Sequence, residues 1–249
     1  MPLEALFTVF TGLPRQGPGS DRSTLEALRR LPPLPPQATV LDIGCGTGRP
    51  TLVLARTLRA RVTAIDIHQP YLDELERAAA QAGLSELIQT RCLSMDALDY
   101  APGSIDLIWS EGAIFVLGVE EALRQWKPLL RPGGCLAFTD ITWLCAEPPE
   151  EAIAFFQEVY PAIATLEENR RRAESAGYEV LDAFPLPAED WWTEYYTPLR
   201  ERLAKLGPEL PAQPDVAAVV ASTEREIEVF SRHSSSYGYV FYVLRRPAA

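Results

Sequence analysis

The run Val40-Leu41-Asp42-Ile43-Gly44-Cys45-Gly46-Thr47-Gly48 constrains this chain more than any other stretch. A short apolar segment, residues 39–43, meets glycines on alternate positions, and helical spacing follows at 51–58. Glycines between a strand and a helix let the backbone turn tightly and approach a ligand that a Cβ would exclude. A dinucleotide loop follows Gly-x-Gly-x-x-Gly, but Arg49 stands at the last of those positions. Such a loop also offers bare N–H groups to a pyrophosphate, whereas Asp42 sets a carboxylate there. Asp42 suits a ligand that carries an ammonium.

Strand and helix patterns alternate from here to residue 144. Residues 61–67 read as a second strand, followed by a helix over 70–82 that stops at Gly83. Residues 87–93, 105–110 and 134–141 read as strands three to five. An amphipathic segment with Leu123, Trp126, Leu129 and Leu130 precedes the fifth and closes in a turn, Arg131-Pro132-Gly133-Gly134. Such alternation implies an α/β fold, a mostly parallel sheet with helices on both faces. Ligands on such sheets sit beyond the carboxyl ends of the strands.

Two regions fall outside the repeat. Residues 1–37 hold a short helix (Leu3, Leu6, Phe7, Phe10), the turn Arg15-Gln16-Gly17-Pro18-Gly19-Ser20, and a second helix with a capping box expected at Ser23 and Glu26. Residues 188–236 are aromatic and punctuated by proline, between a strand at 179–184 and a last strand at 237–244. The expected organisation is one domain over 1–249. Its sheet core is 38–187 with 237–249, covered by 1–37 and by a helical insertion at 188–236.

Composition removes several classes of function. Of 249 residues, 23 are Lys or Arg and 34 are Asp or Glu, a formal charge of −11. A surface that acidic repels phosphate backbones and anionic lipid, so no nucleic-acid partner is expected. No apolar run approaches the ~20 residues of a membrane-spanning helix. The opening residues lack the basic lead of a secretory signal, and a cytoplasmic location is expected. Cys45, Cys92, Cys135 and Cys145 show no Cys-x-x-Cys spacing, and the chain has 2 histidines, so no metal site is expected.

Asp66 closes the second strand, where a carboxylate can accept both hydroxyls of a ribose. Its plainer role is to cap the next helix. On the first reading, Asp66→Ala weakens binding and leaves the fold intact. Asp96 and Ala97 follow the third strand, where an Asp can accept from an exocyclic amine. Together the loop, Asp66, Asp96 and the segment 126–140 resemble the class I S-adenosylmethionine-dependent methyltransferases. That resemblance covers roughly 38–145 and implies a Rossmann-like seven-stranded sheet with its last strand antiparallel. It also implies S-adenosylmethionine as cofactor and methyl transfer as the activity. By position, Gly44, Cys45 and Gly46 lie against the methionine moiety, Asp42 lies near its ammonium, and Asp66 holds the ribose. Ile67 gives a face to the adenine, and Asp96 with Ala97 meets its edge. Gly46→Val is then expected to fill the cofactor's volume. The segments 13–20 and 109–114 resemble a bacterial small-molecule group that includes relatives of the quinone-biosynthesis methyltransferases.

The remaining candidates concern the acceptor. Glu111 follows the fourth strand and can contact the cofactor's methionine end, bind a substrate amine or hydroxyl, or act as base; Asp140, closing the fifth, can point into the same crevice. Arg15 in the N-terminal turn can meet the cofactor carboxylate. Trp191 with Tyr195, and Trp192 with Tyr196, stand four residues apart, so one pair can line a cavity for a small-molecule acceptor. His233 ends the last helix as a further substrate-side candidate. No catalytic residue, acceptor atom or oligomeric state follows from these residues. A nicotinamide-dinucleotide oxidoreductase and a cofactor-binding protein without turnover remain the competing readings.

Overall fold

The computed structural model describes residues 2–248, so Met1 and Ala249, the outer bounds of the expected domain, lie outside the described residues. The N-terminal segment forms α1 (Leu3–Phe10) and α2 (Asp21–Arg29). The capping residue of α2 is Ser20, whose hydroxyl accepts from the Ser23 amide, so the cap falls one turn earlier than Ser23 and Glu26 suggest. The Ser23 hydroxyl is spent instead on Asp190.

The alternating core follows as β1 (Thr39–Ile43), α3 (Arg49–Leu58), β2 (Arg61–Asp66), α4 (Gln69–Gln81), β3 (Ile88–Cys92) and β4 (Ile105–Ser110). Then come α5 (Val119–Trp126), β5 (Leu130–Trp143), α6 (Glu150–Val159), β6 (Ala164–Thr165), α7 (Leu166–Ser175) and β7 (Glu179–Pro185). A capping box closes the N-terminus of α7 between Thr165 and Glu168. The strand order is β3-β2-β1-β4-β5-β8-β7, with β8 (Tyr237–Arg245) antiparallel to both of its neighbours. The sheet has 8 strands because β5 runs on past Ile141, and the two-residue β6 pairs with Thr142 and Trp143.

Residues 131–134 are not the free turn that their composition suggests; they form the irregular start of β5. Gly133 adopts a φ of +81°, and the register with β4 shifts between Ile105 and Leu107. The Gly133 amide donates to the Arg246 carbonyl at 2.9 Å, and the Arg246 amide donates to that of Gly134 at 2.8 Å. Chain beyond β8 therefore holds this stretch in the sheet.

Every residue of β4 is buried, as expected for a parallel strand covered on both faces. One face packs Leu107, Trp109, Ala137 and Phe241 against Ala27 of α2 and Val53 and Leu54 of α3. The other packs Ile108, Leu136, Phe138 and Tyr242 against Leu123 and Trp126 of α5. A third cluster joins α1 to the 188–236 region, which forms α8 (Glu189–Trp191), a π-helical turn (Trp192–Tyr196), α9 (Thr197–Leu206) and α10 (Pro214–His233). Among the described residues, no helix is long and apolar enough to cross a membrane.

The π turn changes one of the two expected aromatic pairings, that of Trp191 with Tyr195, and leaves Trp192 with Tyr196 as expected. One residue is added to the helical repeat there. Trp191 therefore meets Tyr196, five positions on, with ring centroids 5.6 Å apart, while Trp192 meets Tyr196 at 5.3 Å. Trp191 stacks on Phe230 at 4.1 Å, and Tyr195 on Tyr196 at 5.0 Å.

Candidate active site

The carboxyl ends of β1, β2 and β4 open into one cavity of about 260 Å³. Asp42 stands on its wall although only 1% of its surface is exposed. The Thr51 hydroxyl, on α3, donates to its Oδ2 at 2.6 Å. Burial pushes the Asp42 carboxyl up to about 7, and the charges of Glu111 and Asp66 push the same way. That is a carboxylate short of positive charge.

The glycine loop leaves β1 with the amides of Gly44 and Cys45 both donating to the Ile65 carbonyl, at 2.9 and 3.0 Å. Gly44 has a φ of +69°, and a Cβ there would stand 2.4 Å from that of Ala113. Gly46 has a φ of +53°, and its Cβ would stand 2.6 Å from Oε1 of Gln16. What a side chain at Gly46 meets first is therefore protein, an N-terminal residue folded over the loop. Gln16 Oε1 accepts from the Thr47 amide at 3.0 Å and from its hydroxyl at 3.1 Å.

Asp66 has two structural duties, the expected bond to the start of the next helix and a second to the glycine loop. Its Oδ2 accepts from the Gly46 amide and its Oδ1 from the His68 amide, each at 2.9 Å. The expectation that the fold does not need this side chain is therefore corrected, because Asp66 pins the loop to the start of α4. Burial raises its pKa although both amides oppose the shift. Ile67, next along, lies on the cavity wall with 48% of its surface exposed, an apolar face open to a ligand.

Glu111 and Arg15 close the far side of the cavity, each 5% exposed. The Thr24 hydroxyl and the Trp109 indole N–H donate to Glu111 Oε1 at 2.7 and 2.9 Å. Burial raises the Glu111 pKa, with Arg15 opposing. The Arg15 guanidinium reaches Glu194 at 2.8 Å, Asp21 at 3.0 Å and Glu111 at 3.4 Å. Burial works against its charge, but Glu111, Glu194 and Asp21 outweigh it and raise its pKa. Three carboxylates thus already engage the guanidinium expected to meet a cofactor carboxylate.

Eight of the expected site residues come together here: Arg15, Asp42, Gly44, Cys45, Gly46, Asp66, Ile67 and Glu111 all line the cavity. Asp96 and Ala97 are exposed in a turn just beyond Ser94 and Met95, which do line it. Trp191 and Tyr195 are buried in the aromatic cluster, at 3% and 4% exposure. His233 is not brought to the cavity; its Nε2 lies 2.7 Å from Glu151 on the surface. Asp140 does not line the cavity either. The residue reading missed Phe7 and Tyr71 on the wall, where Phe7 stacks on His68 at 3.7 Å. Helical spacing showed Phe7 as apolar, but not which element it would cover.

A doubly wound sheet feeds the glycine loop, with an acid at or next to the end of each of its first two strands and a cavity between them, the layout that the sequence resemblance implies. Residues 40–134 match a family model described as a methyltransferase domain. The chain is 37% identical over 122 residues to the dimethylglycine N-methyltransferase of Parasynechococcus marenigrum (strain WH8102), covering 49% of this chain and 44% of that one. It is 27% identical over 230 residues to the 27-O-demethylrifamycin SV methyltransferase of Amycolatopsis mediterranei (strain S699), covering 89% and 82%. A crystal structure of the [4+2]-cyclase SpnF superposes with a TM-score of 0.76 at 22% identity, over 99% of this chain and 94% of that one. The matched segments span about half the length of the first curated relatives, 44% and 37% of the first two.

Proposed function

We propose that this protein moves a methyl group from S-adenosylmethionine to a small-molecule acceptor by in-line displacement. The observation that carries the reading is the buried Asp42 carboxylate, on the wall of a cavity bounded by the glycine loop, Asp66 and Ile67. Its surplus negative charge fits an ammonium, the Asp66 oxygens have lone pairs left for ribose hydroxyls, and the open face of Ile67 fits an adenine. When bound, the cofactor supplies a methyl group already activated by its sulfonium. The chain's own work is then to hold, orient and exclude water. Asp42, Asp66 and Ile67 hold; Arg15 and Glu111 close the methionine side; Asp96 and Ala97 flank the adenine edge.

Acceptors named for the relatives include both N- and O-methyl sites, which supports a small molecule and leaves its atom open. The acidic surface supports the same choice over nucleic acid, and four free cysteines suit a cytoplasmic location. Residues 1–37 and 188–236 serve as one cover over a single domain. The Arg15–Glu194 pair joins them, and α1 packs on both α9 and α10. Trp191 and Tyr195, buried in the aromatic cluster between these segments, shape the acceptor side without lining the cavity.

Calorimetry with S-adenosylhomocysteine tests the reading, micromolar binding being expected. Binding of a nicotinamide dinucleotide instead would replace it with an oxidoreductase. Cofactor binding without turnover on any acceptor would leave a binding protein, or a different reaction on this fold, as the shared architecture with a cyclase illustrates.

A further inference from the structure

Asp140 is 2% exposed on β5, and its Oδ2 is buried without a hydrogen-bond partner. Its Oδ1 accepts from the Tyr160 hydroxyl at 3.2 Å. Burial pushes the carboxyl up to about 7, against the opposing effects of Tyr160, the Ile141 amide, Asn169 and Arg172. Arg172, the cation that bears on it, spends its guanidinium on Asn169 at 2.9 Å and Glu120 at 3.2 Å. A buried carboxylate oxygen without a donor costs more than a typical hydrogen bond returns. Neither Asn169 nor the Ile141 amide reaches Oδ2 at hydrogen-bond distance, so it stands open to a donor from outside this chain.

The surroundings say what kind of group. Thr139, next to Asp140, accepts the Gly112 amide of the cavity wall at 2.8 Å. Tyr160 meets Phe115 edge to face at 6.2 Å, and Phe115, 47% exposed, precedes Val116 on the same wall. The Tyr239 ring lies 3.6 Å from where a Cβ on Gly112 would stand. Burial raises the Tyr239 pKa, and the charges of Glu226 and Asp140 raise it further. Glu226 accepts from the Tyr196 hydroxyl at 2.8 Å. Acid and aromatic rings therefore sit together one layer beyond the cofactor cavity.

We infer that Asp140, with the rings of Tyr160, Phe115 and Tyr239 beside it, is the acceptor site for a small molecule carrying a protonatable amine. The inference rests on the methyltransferase reading above. An ammonium satisfies the free Oδ2 and is attracted to ring faces. It also needs what Asp140 provides, since a protonated nitrogen has no lone pair to react. Its proton passes to Asp140 Oδ2, the nitrogen keeps the electron pair, and Asp140 later returns the proton to solvent.

The test pairs small amines with their hydroxyl counterparts, ethanolamine with ethylene glycol and tyramine with 4-ethylphenol. Binding is measured by calorimetry in the presence of S-adenosylhomocysteine, and turnover with S-adenosylmethionine. Amines are expected to bind and their counterparts to bind at least about tenfold more weakly. Asp140→Asn should weaken the amine at least about tenfold and Tyr160→Phe less, each with S-adenosylhomocysteine affinity within about twofold of the parent. A preference for the hydroxyl members, binding of neither amine by parent protein that binds S-adenosylhomocysteine, or equal amine binding by folded Asp140→Asn, overturns the inference. Failure of the parent protein to bind S-adenosylhomocysteine overturns the methyltransferase reading instead.

Discussion

Nε of Arg15 donates to Glu194 at 2.8 Å, joining residues 179 positions apart across the mouth of the cofactor cavity. The same guanidinium neutralises Glu111 beneath it. Replacing Arg15 by Met leaves Glu111 buried without its cation, which typically costs about 3–5 kcal/mol. Glu194→Gln, at the half-exposed end of the network, should cost under about 1 kcal/mol. Urea unfolding of both variants checks the difference, and equal losses would place the energy in the rim.

Because that pair ties residues 1–37 to residues 188–236, loosening it should expose their connecting chain. Proteolysis of Arg15→Met is expected to cut faster near residues 17–20 and 207–214 than in the parent. S-Adenosylhomocysteine should slow those cuts in the parent. Cleavage rates indifferent to both changes would mark the segments as fixed decoration.

Asp66→Ala removes the acceptor of two backbone amides as well as the proposed ribose contact. It should lower stability by about 1–3 kcal/mol for each amide left without a partner, alongside weaker cofactor binding. Thermal unfolding without ligand separates the effects. A variant as stable as the parent would mean that water takes over both amides.

Gly44→Ala and Gly46→Ala should part company. The first drives a Cβ into Ala113, a neighbour with no flexible end to swing away, from a backbone shape that side chains rarely adopt; about 1–3 kcal/mol is expected. The second meets the movable end of Gln16, so cofactor affinity should fall more than stability. Melting temperature and S-adenosylhomocysteine affinity, measured together, read both.

The Asp42 carboxyl rises from 3.8 to about 7 on folding, so between those values the folded chain holds a proton that the unfolded chain has released. Its contribution to stability therefore falls as pH climbs from about 4 to about 7. Asp42→Asn should flatten that part of the stability curve and be more stable than the parent above pH ~7 without ligand. Cofactor binding, which needs the ionised form, should strengthen over the same window. A parallel curve for Asp42→Asn would deny the shift.

The alternation of buried strands with amphipathic helices was legible because each element announces its own period, and Asp42, Gly44 and Asp66 because their positions follow from that alternation. What escaped depended on partners distant in sequence. Asp66 reads as a ligand residue or a helix cap, and it does bond the His68 amide two positions on, yet its second amide comes from a loop 20 positions back. Residues 131–134 spell a turn, and only the return of Arg246 makes them sheet. Trp191 and Tyr195 carry helical spacing, but an inserted π turn re-aims them, and no local pattern marks it. His233 resembles any other histidine until Glu151 is placed beside it.

The position of β8 between β5 and β7 has a consequence for how the molecule is made. Residues 237–245 leave the ribosome after the seven other described strands, yet they fill the gap between two strands made earlier. Until they arrive, β5 and β7 have no common partner, and each keeps a row of unpaired amides and carbonyls that another chain could bind. Nascent chains therefore wait, exposed, for the nine residues of β8. A stop codon just before Tyr237 would release not a trimmed enzyme but a sheet with a missing slat, prone to recruit its neighbours.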